Sequence, residues 1–135
     1  MQTGHVVQVF KTRGFARFAR RERIKDDKLC EAVARAERGL IDADLGDGVI
    51  KQRLPRQGQG RSGGFRVIVV YRTAERTVFI DGFAKNDRDN IDDDDLARFR
   101  ELAGEFLGHS ANTVQKLIEA GAWIEVACDG QEIQE

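Results

Sequence analysis

Three cations and one aromatic ring carry the chemistry that this sequence offers: Arg53, Arg66, Lys85 and Phe83. They fall in the stretch Lys51 to Asn90, which is dense in Arg and Lys and holds three short runs of β-branched and aromatic residues. Such a set suits a phosphodiester. RNA is cut without metal when its 2′-OH attacks the adjacent phosphorus. That step needs a base for the hydroxyl, cations for the phosphorane charge and an acid for the leaving 5′-oxygen. Arg66 sits on the strongest strand signal and would brace a phosphate with its planar fork. Lys85 would be the candidate base if the positive neighbours Arg53 and Arg66 favoured its neutral form. Phe83 would stack on an unpaired base. The plain alternatives are an Arg66 paired with Asp81 and a Lys85 that is only a solvated loop residue. His5 and His109 lie far from this stretch and read as structural or solvated.

These residues need a sheet to hold them. Val49 to Leu54, Phe65 to Tyr71 and Thr77 to Phe83 read as strands. The connections Pro55 to Gly64 and Thr73 to Arg76 are hairpin loops, which predicts an antiparallel meander. Set Leu54 opposite Phe65, and Tyr71 opposite Val78. One face then collects Ile50, Leu54, Phe65, Val67, Val69, Tyr71, Val78, Ile80 and Ala84. The other carries Lys51, Arg53, Arg66, Ile68, Asp81 and Phe83, a cationic shelf with an aromatic at one end. A one-residue slip would turn a strand over and spoil this sorting. The loop Gly58 to Gly64 is Gly-rich, but it fails the GxxxxGK[ST] pattern and a strand follows it. It reads as a flexible hairpin tip.

The chain has 135 residues, enough for one domain with a single core. No apolar run approaches the roughly 18 residues of a membrane span, and no signal-peptide pattern opens the chain. A cytoplasmic location is the expectation. Cys30 and Cys128 are far apart and form no CxxC, which argues against a metal site or a disulfide framework. Net charge is −1, yet the charges are segregated. Lys51, Arg53, Arg56, Arg61, Arg66, Arg72 and Arg76 stand against Glu75 alone, which suits a polyanionic partner.

His5 to Phe10 reads as a first strand. Thr12 is placed to cap a helix from Arg13, with Arg13, Arg17 and Arg20 on one side as a solvated or phosphate-contacting face. Asp26 or Asp27 should cap a second helix, with a core stripe of Leu29, Val33, Ala36 and Leu40 and with Gly39 past its end. The two helices are expected to form a hairpin over the apolar face. Asp42 to Gly48 reads as a loop that lacks calcium spacing. Asp92 to Asp95 reads as a helix N-terminus, not a metal cluster, ahead of Leu96, Phe99, Ala103 and Phe106. Another helix starts at Ser110 or Asn112. Trp123 to Val126 is a short strand signal, and Asp129 to Glu135 an acidic tail.

The paired segments Gly58-Gln-Gly-Arg-Ser-Gly-Gly-Phe-Arg66 and Gly82-Phe-Ala-Lys-Asn86, with the opening Lys11 to Arg20 and the segment Gly48 to Leu54, resemble the RelE/ParE superfamily of bacterial toxin–antitoxin toxins, and within it a RelE/HigB-like branch. The resemblance covers about Val6 to Ile91. It implies an α+β, RelE-like fold: a three-stranded meander plus an N-terminal strand, packed against an N-terminal helical hairpin. It implies one domain over 1–135, with a core of about 6–91, a helical extension of about 92–121 and a tail at 129–135. It implies a ribosome-dependent mRNA endonuclease that needs no metal or cofactor, works in the ribosomal A site and is neutralised by a cognate antitoxin, with no membrane partner. Arg66, Lys85 and Arg53 would be catalytic. Lys51, Arg56, Arg61, Phe83, Asn86, Arg13 and Arg17 would contact RNA. The chain departs from the family in having its single Tyr, Tyr71, on the apolar face, so the general acid stays open, with His109 as a stand-in. The rivals are a ParE-like gyrase poison acting by protein contact and a non-catalytic RNA-binding module. A gyrase binder has no evident need for the Arg53, Arg66 and Lys85 cluster.

Overall fold

Thr12 ends the first strand and starts the first helix. Its side chain accepts a hydrogen bond from the Phe15 N–H at 3.2 Å, satisfying one of the helix's free donors. The computed structural model describes residues 8–55, 64–85 and 91–128. In chain order these form β1 (Gln8–Thr12), α1 (Arg13–Arg21), α2 (Asp26–Glu37), β2 (Ala43–Gly46), β3 (Val49–Leu54), β4 (Phe65–Arg72), β5 (Arg76–Ala84), α3 (Asp93–Gly108), α4 (Ala111–Glu119) and β6 (Trp123–Glu125). The six strands make one sheet in the order β2-β3-β4-β5-β1-β6.

The class is α+β, but the sheet is mixed. β1 runs parallel to β5, and every other pair is antiparallel. A parallel pair needs a long crossover, and the chain between β1 and β5 supplies it. Val9 and Phe10 are both buried, one toward each face, as an inner strand requires. Residues 43–46, expected to be loop, are the edge strand β2. Asp47 and Gly48 both take positive φ, 54° and 87°, and turn β2 into β3. That Asp-Gly pair is the hairpin signal the expected loop passed over.

Helices cover both faces. On one side α1 and α2 bury Phe15, Phe18, Leu29 and Val33 against Ile50, Leu54, Phe65, Val67, Val69 and Phe79. On the other, Phe99, Ala103 and Val114 of α3 and α4 pack with Trp123 on Val49, Ile68, Val70, Val78 and Phe83. Gly82 is required under α1: a Cβ there would come within 2.4 Å of the Phe18 ring. Lys25, not Asp26 or Asp27, is the N-cap of α2. Asp26 instead binds the Lys11 ammonium at 2.8 Å. Leu40 leaves the expected helical stripe. Gly39, at φ 85°, turns the chain away after the helix, and Leu40 is 55% exposed.

The register holds at one end of β4 and shifts at the other. Leu54 pairs with Phe65, and Arg66 with Phe83. A bulge then opens: Ile68 faces Asp81, whereas Val69 faces Phe79, so Ile80 is the extra residue. Beyond it Val70 pairs with Val78, and Tyr71 with Thr77. Phe79, and not Val78 or Ile80, therefore joins the α1/α2 side. Phe79→Ala should cost about 3–5 kcal/mol, as a buried aromatic truncation does. Ile80→Ala, at a half-buried bulge, should cost clearly less. Urea unfolding of the two variants checks the order, which the unbulged register would reverse.

Cys30 and Cys128 form a disulfide, with Cα atoms 5.7 Å apart. This corrects the expectation drawn from their distance in sequence. After β6 the chain crosses to the α1/α2 side, where Val126 is buried and its N–H donates to Val9 O at 2.9 Å. That path carries Cys128 to α2. The bond closes a sequence separation of 98 residues. In the chain-entropy account, a loop of that order stabilises by about 4–5 kcal/mol. Urea midpoints with and without dithiothreitol should differ accordingly, with the reduced protein the weaker.

Candidate functional site

The site begins where β2 stops. Ala43 pairs with Lys51, and beyond that point β3 has no strand on its outer side. The Arg53 N–H and C=O are left facing that gap, and side chains complete the ladder. Asp42 Oδ2 accepts from the Arg53 N–H at 2.7 Å, and the Arg35 guanidinium donates to the Arg53 carbonyl at 2.5 Å. Arg35 also binds Asp42 Oδ2 at 3.3 Å. Beneath them lies Gln52, which is 1% exposed and fully engaged. Its Oε1 accepts from the Asp42 N–H at 2.7 Å, and its Nε2 donates to Ala32 O and Leu40 O, both at 3.2 Å. One buried amide thus ties α2, the chain after it and β3 together.

Strand pairing then gathers the cations. Arg53 lies opposite Arg66, and Arg66 opposite Phe83, with Lys51 opposite Ile68 one step along. Side chains so paired stand about 4.5–5.5 Å apart at Cβ. The Lys85 N–H donates to Gly64 O at 3.1 Å, which continues the β4/β5 pairing to the rim. Asp42, Ala43, Lys51, Arg53, Arg66 and Lys85 line a cleft of about 420 Å³. That size lies within the roughly 300–1,000 Å³ of ligand sites. Arg66 is half-buried and directs Nη1 toward its neighbour's carbonyl, Phe65 O, at 3.4 Å.

Some expected members are elsewhere. Phe83 is 7% exposed and packed in the core on the α3 side, so its ring does not offer a stacking surface. Arg13 and Arg17 are exposed on α1, on the far side of the sheet from the cleft. Arg56, Arg61 and Asn86 lie outside the described residues, as do most of the Gly-rich loop, His5 and the tail.

The acid candidates are also placed. His109 rests against Phe106 and Trp123, with ring centroids 5.8 and 5.7 Å away. It borders Arg72 and Arg76, whose end of β4 lies six residues, or about 20 Å, from Arg66. It cannot reach the cleft. Tyr71 is buried on the α1/α2 side, and its hydroxyl donates to the Glu37 carboxylate. It is structural. Asp92 caps α3, accepting from the Asp95 N–H at 2.8 Å. Among the described residues no cluster of His, Cys, Asp and Glu could hold a metal ion.

Asp42, Arg35 and Gln52 were not expected here. Reading Asp42 to Gly48 as a loop hid them. The Asp-Gly turn would have revealed β2, and with it the placement of Asp42 beside Gln52 and Arg53.

The model of the family described as RelE toxin of the RelE/RelB toxin–antitoxin system matches residues 7–126. No curated protein matches the chain at a significant level.

Gln52→Leu would leave Leu40 O and the Asp42 N–H without their partner inside the protein, while Ala32 O keeps the i+4 N–H of its own helix. The expected loss is about 2–4 kcal/mol, since each orphaned buried group costs roughly 1–3. Thermal and urea unfolding measure it.

Proposed function

Because the chain belongs to the RelE toxin family of toxin–antitoxin systems, we propose that it is a ribosome-dependent mRNA endonuclease that arrests translation and is held in check by a cognate antitoxin. The observation that carries this reading is the cleft itself. Lys51, Arg53, Arg66 and Lys85 line it together, and neither a His nor a Tyr is among the described residues that do so. Four cations suit a phosphodiester on which negative charge builds. A site without a ready acid–base pair needs its RNA held in line for attack, which is what a translating ribosome provides.

In this reading Arg66 clamps the scissile phosphate from a central strand, and Arg53 faces it across the pair. Lys85 at the rim handles proton transfer at the 2′-oxygen. Lys51 contacts the flanking phosphate. Arg56, Arg61 and Asn86 continue the RNA-binding set in sequence. Arg13 and Arg17 meet structured RNA on the other side of the sheet. The chain acts as one toxin domain in the cytoplasm, with the ribosomal A site and its mRNA as partners. No helix among the described residues is long and apolar enough to cross a membrane.

The test is in vitro translation with purified protein and mapping of mRNA 5′ ends. Cuts should arise on translating ribosomes and not in the same RNA free in solution. Arg66→Ala and Lys85→Ala should each lower single-turnover cleavage by about 10²–10³, the typical loss of one charge-stabilising donor. Arg13→Ala and Arg17→Ala should instead weaken ribosome binding and flatten its salt dependence. Equal cutting of free RNA, or near-wild-type rates in both cleft variants, would overturn the reading. Loss of DNA supercoiling activity with intact mRNA would select a gyrase poison.

A further inference from the structure

The cleft's cations donate hydrogen bonds and accept none. Ala43 does neither. Asp42 is therefore the one side-chain acceptor among the described residues that line it. Its carboxylate is also unusually well held for a surface group. Oδ2 is committed to the Arg53 N–H at 2.7 Å and to Arg35 at 3.3 Å. Its own N–H is fixed by Gln52 at 2.7 Å. Oδ1 makes no hydrogen bond among the described residues, and the side chain keeps 25% of its exposure. A fixed acceptor beside a bank of donors is a recognition element, because it costs little reorganisation when a ligand arrives.

We propose that Asp42 is a specificity-determining residue. Its Oδ1 accepts a hydrogen bond from the exocyclic amino group of a nucleobase while the cations hold the adjoining phosphate. The proposal rests on the reading of the cleft as an RNA site. Guanine, adenine and cytosine each carry such an amino group. Uracil carries none, and its N3–H is flanked by two carbonyl oxygens that repel a carboxylate. A charge-assisted hydrogen bond made or lost at a partly exposed site changes affinity by about tenfold. Uracil should therefore be disfavoured by that factor.

Asp42→Asn gives a sharper expectation than simple loss. The amide oxygen can keep Arg53 and Arg35, which turns the NH₂ toward the cleft. The acceptor becomes a donor, and the ranking should tilt toward uracil.

The experiment measures binding of fluorescein-labelled 2′-O-methyl trinucleotides U-X-U, with X each of the four bases, by anisotropy. These probes lack the attacking hydroxyl, so binding is read without cleavage. Wild type should bind U-U-U about tenfold more weakly than the other three. Asp42→Asn should raise U-U-U relative to them, and Asp42→Ser should flatten the series. Thermal melts confirm folding, and if Asp42→Asn melts early, Asp42→Ser carries the comparison. A flat wild-type series, or a ranking unchanged in the folded variant, overturns the proposal. Cut-site mapping on ribosomes runs in parallel. Cleavage with an Asp42-independent ranking sinks this inference and leaves the endonuclease standing. A ranking that follows Asp42 without any cleavage does the reverse.

Discussion

β4 is buried on both faces, and the rest of the molecule follows from that. Val67 and Val69 face α1 and α2, and Ile68 and Val70 face α3 and α4, none more than 2% exposed. A strand in that position can hold a charge only near its ends, because a charge buried without partners is far too costly. Arg66 stands one residue from the start of β4 and Arg72 closes it. The polar chemistry is thus confined to the two rims of the sheet. The Arg66 rim has Lys51, Arg53 and Lys85 around it, whereas at the other rim Arg76 is spent on the carbonyls that end α3, Phe106 O at 2.9 Å and His109 O at 3.0 Å. Arg72 at that rim is half exposed beside Glu75, so what distinguishes the first rim is that four cations line one cleft.

Much of the framework was legible because short-range rules agreed with one another. The β3/β4 register followed from the alternation of Ile50, Leu54, Phe65 and Val67. The helix starts at Thr12, Asp92 and Ser110 followed from capping residues ahead of apolar stripes. What escaped was set by long-range geometry. The bulge at Ile80 leaves no local mark: Val78, Phe79 and Ile80 are all strand formers, and only the second layer of helices decides which of them faces where. The same layer buries Phe83, which looks like an aromatic on a cationic shelf until Phe99 and Ala103 are placed above it. The Cys30–Cys128 bond is another case, since it depends on where the chain goes after its last strand.

The site was legible in its cations and not in its support. Arg53, Arg66 and Lys85 stand out by type and by strand parity. Asp42, Arg35 and Gln52 do not, because their roles arise at the point where β2 ends and β3 continues. An acid read as part of a loop becomes the partner of a strand's N–H. An Arg on a helix flank becomes the partner of its carbonyl. A Gln in a strand becomes the buried tie between them, and each of these contacts joins segments that lie 10 to 20 residues apart.

Arg53 directly opposite Arg66 breaks the rule that like charges avoid facing positions on paired strands. Among the described residues that line the cleft the one carboxylate, Asp42, is turned to the Arg53 backbone and Arg35. Apolar packing below and the Gln52 tie beside them hold the pair in place regardless. A local conflict inside an otherwise consistent strand is what the proposed phosphate site would account for. The conflict has a specific resolution. In the proposed function a phosphate set between the two guanidiniums would turn mutual repulsion into two charge-assisted contacts, so the facing cations favour an anion. The facing charges and the proposed substrate are two sides of one electrostatic arrangement, and a neutral ligand would gain nothing from it.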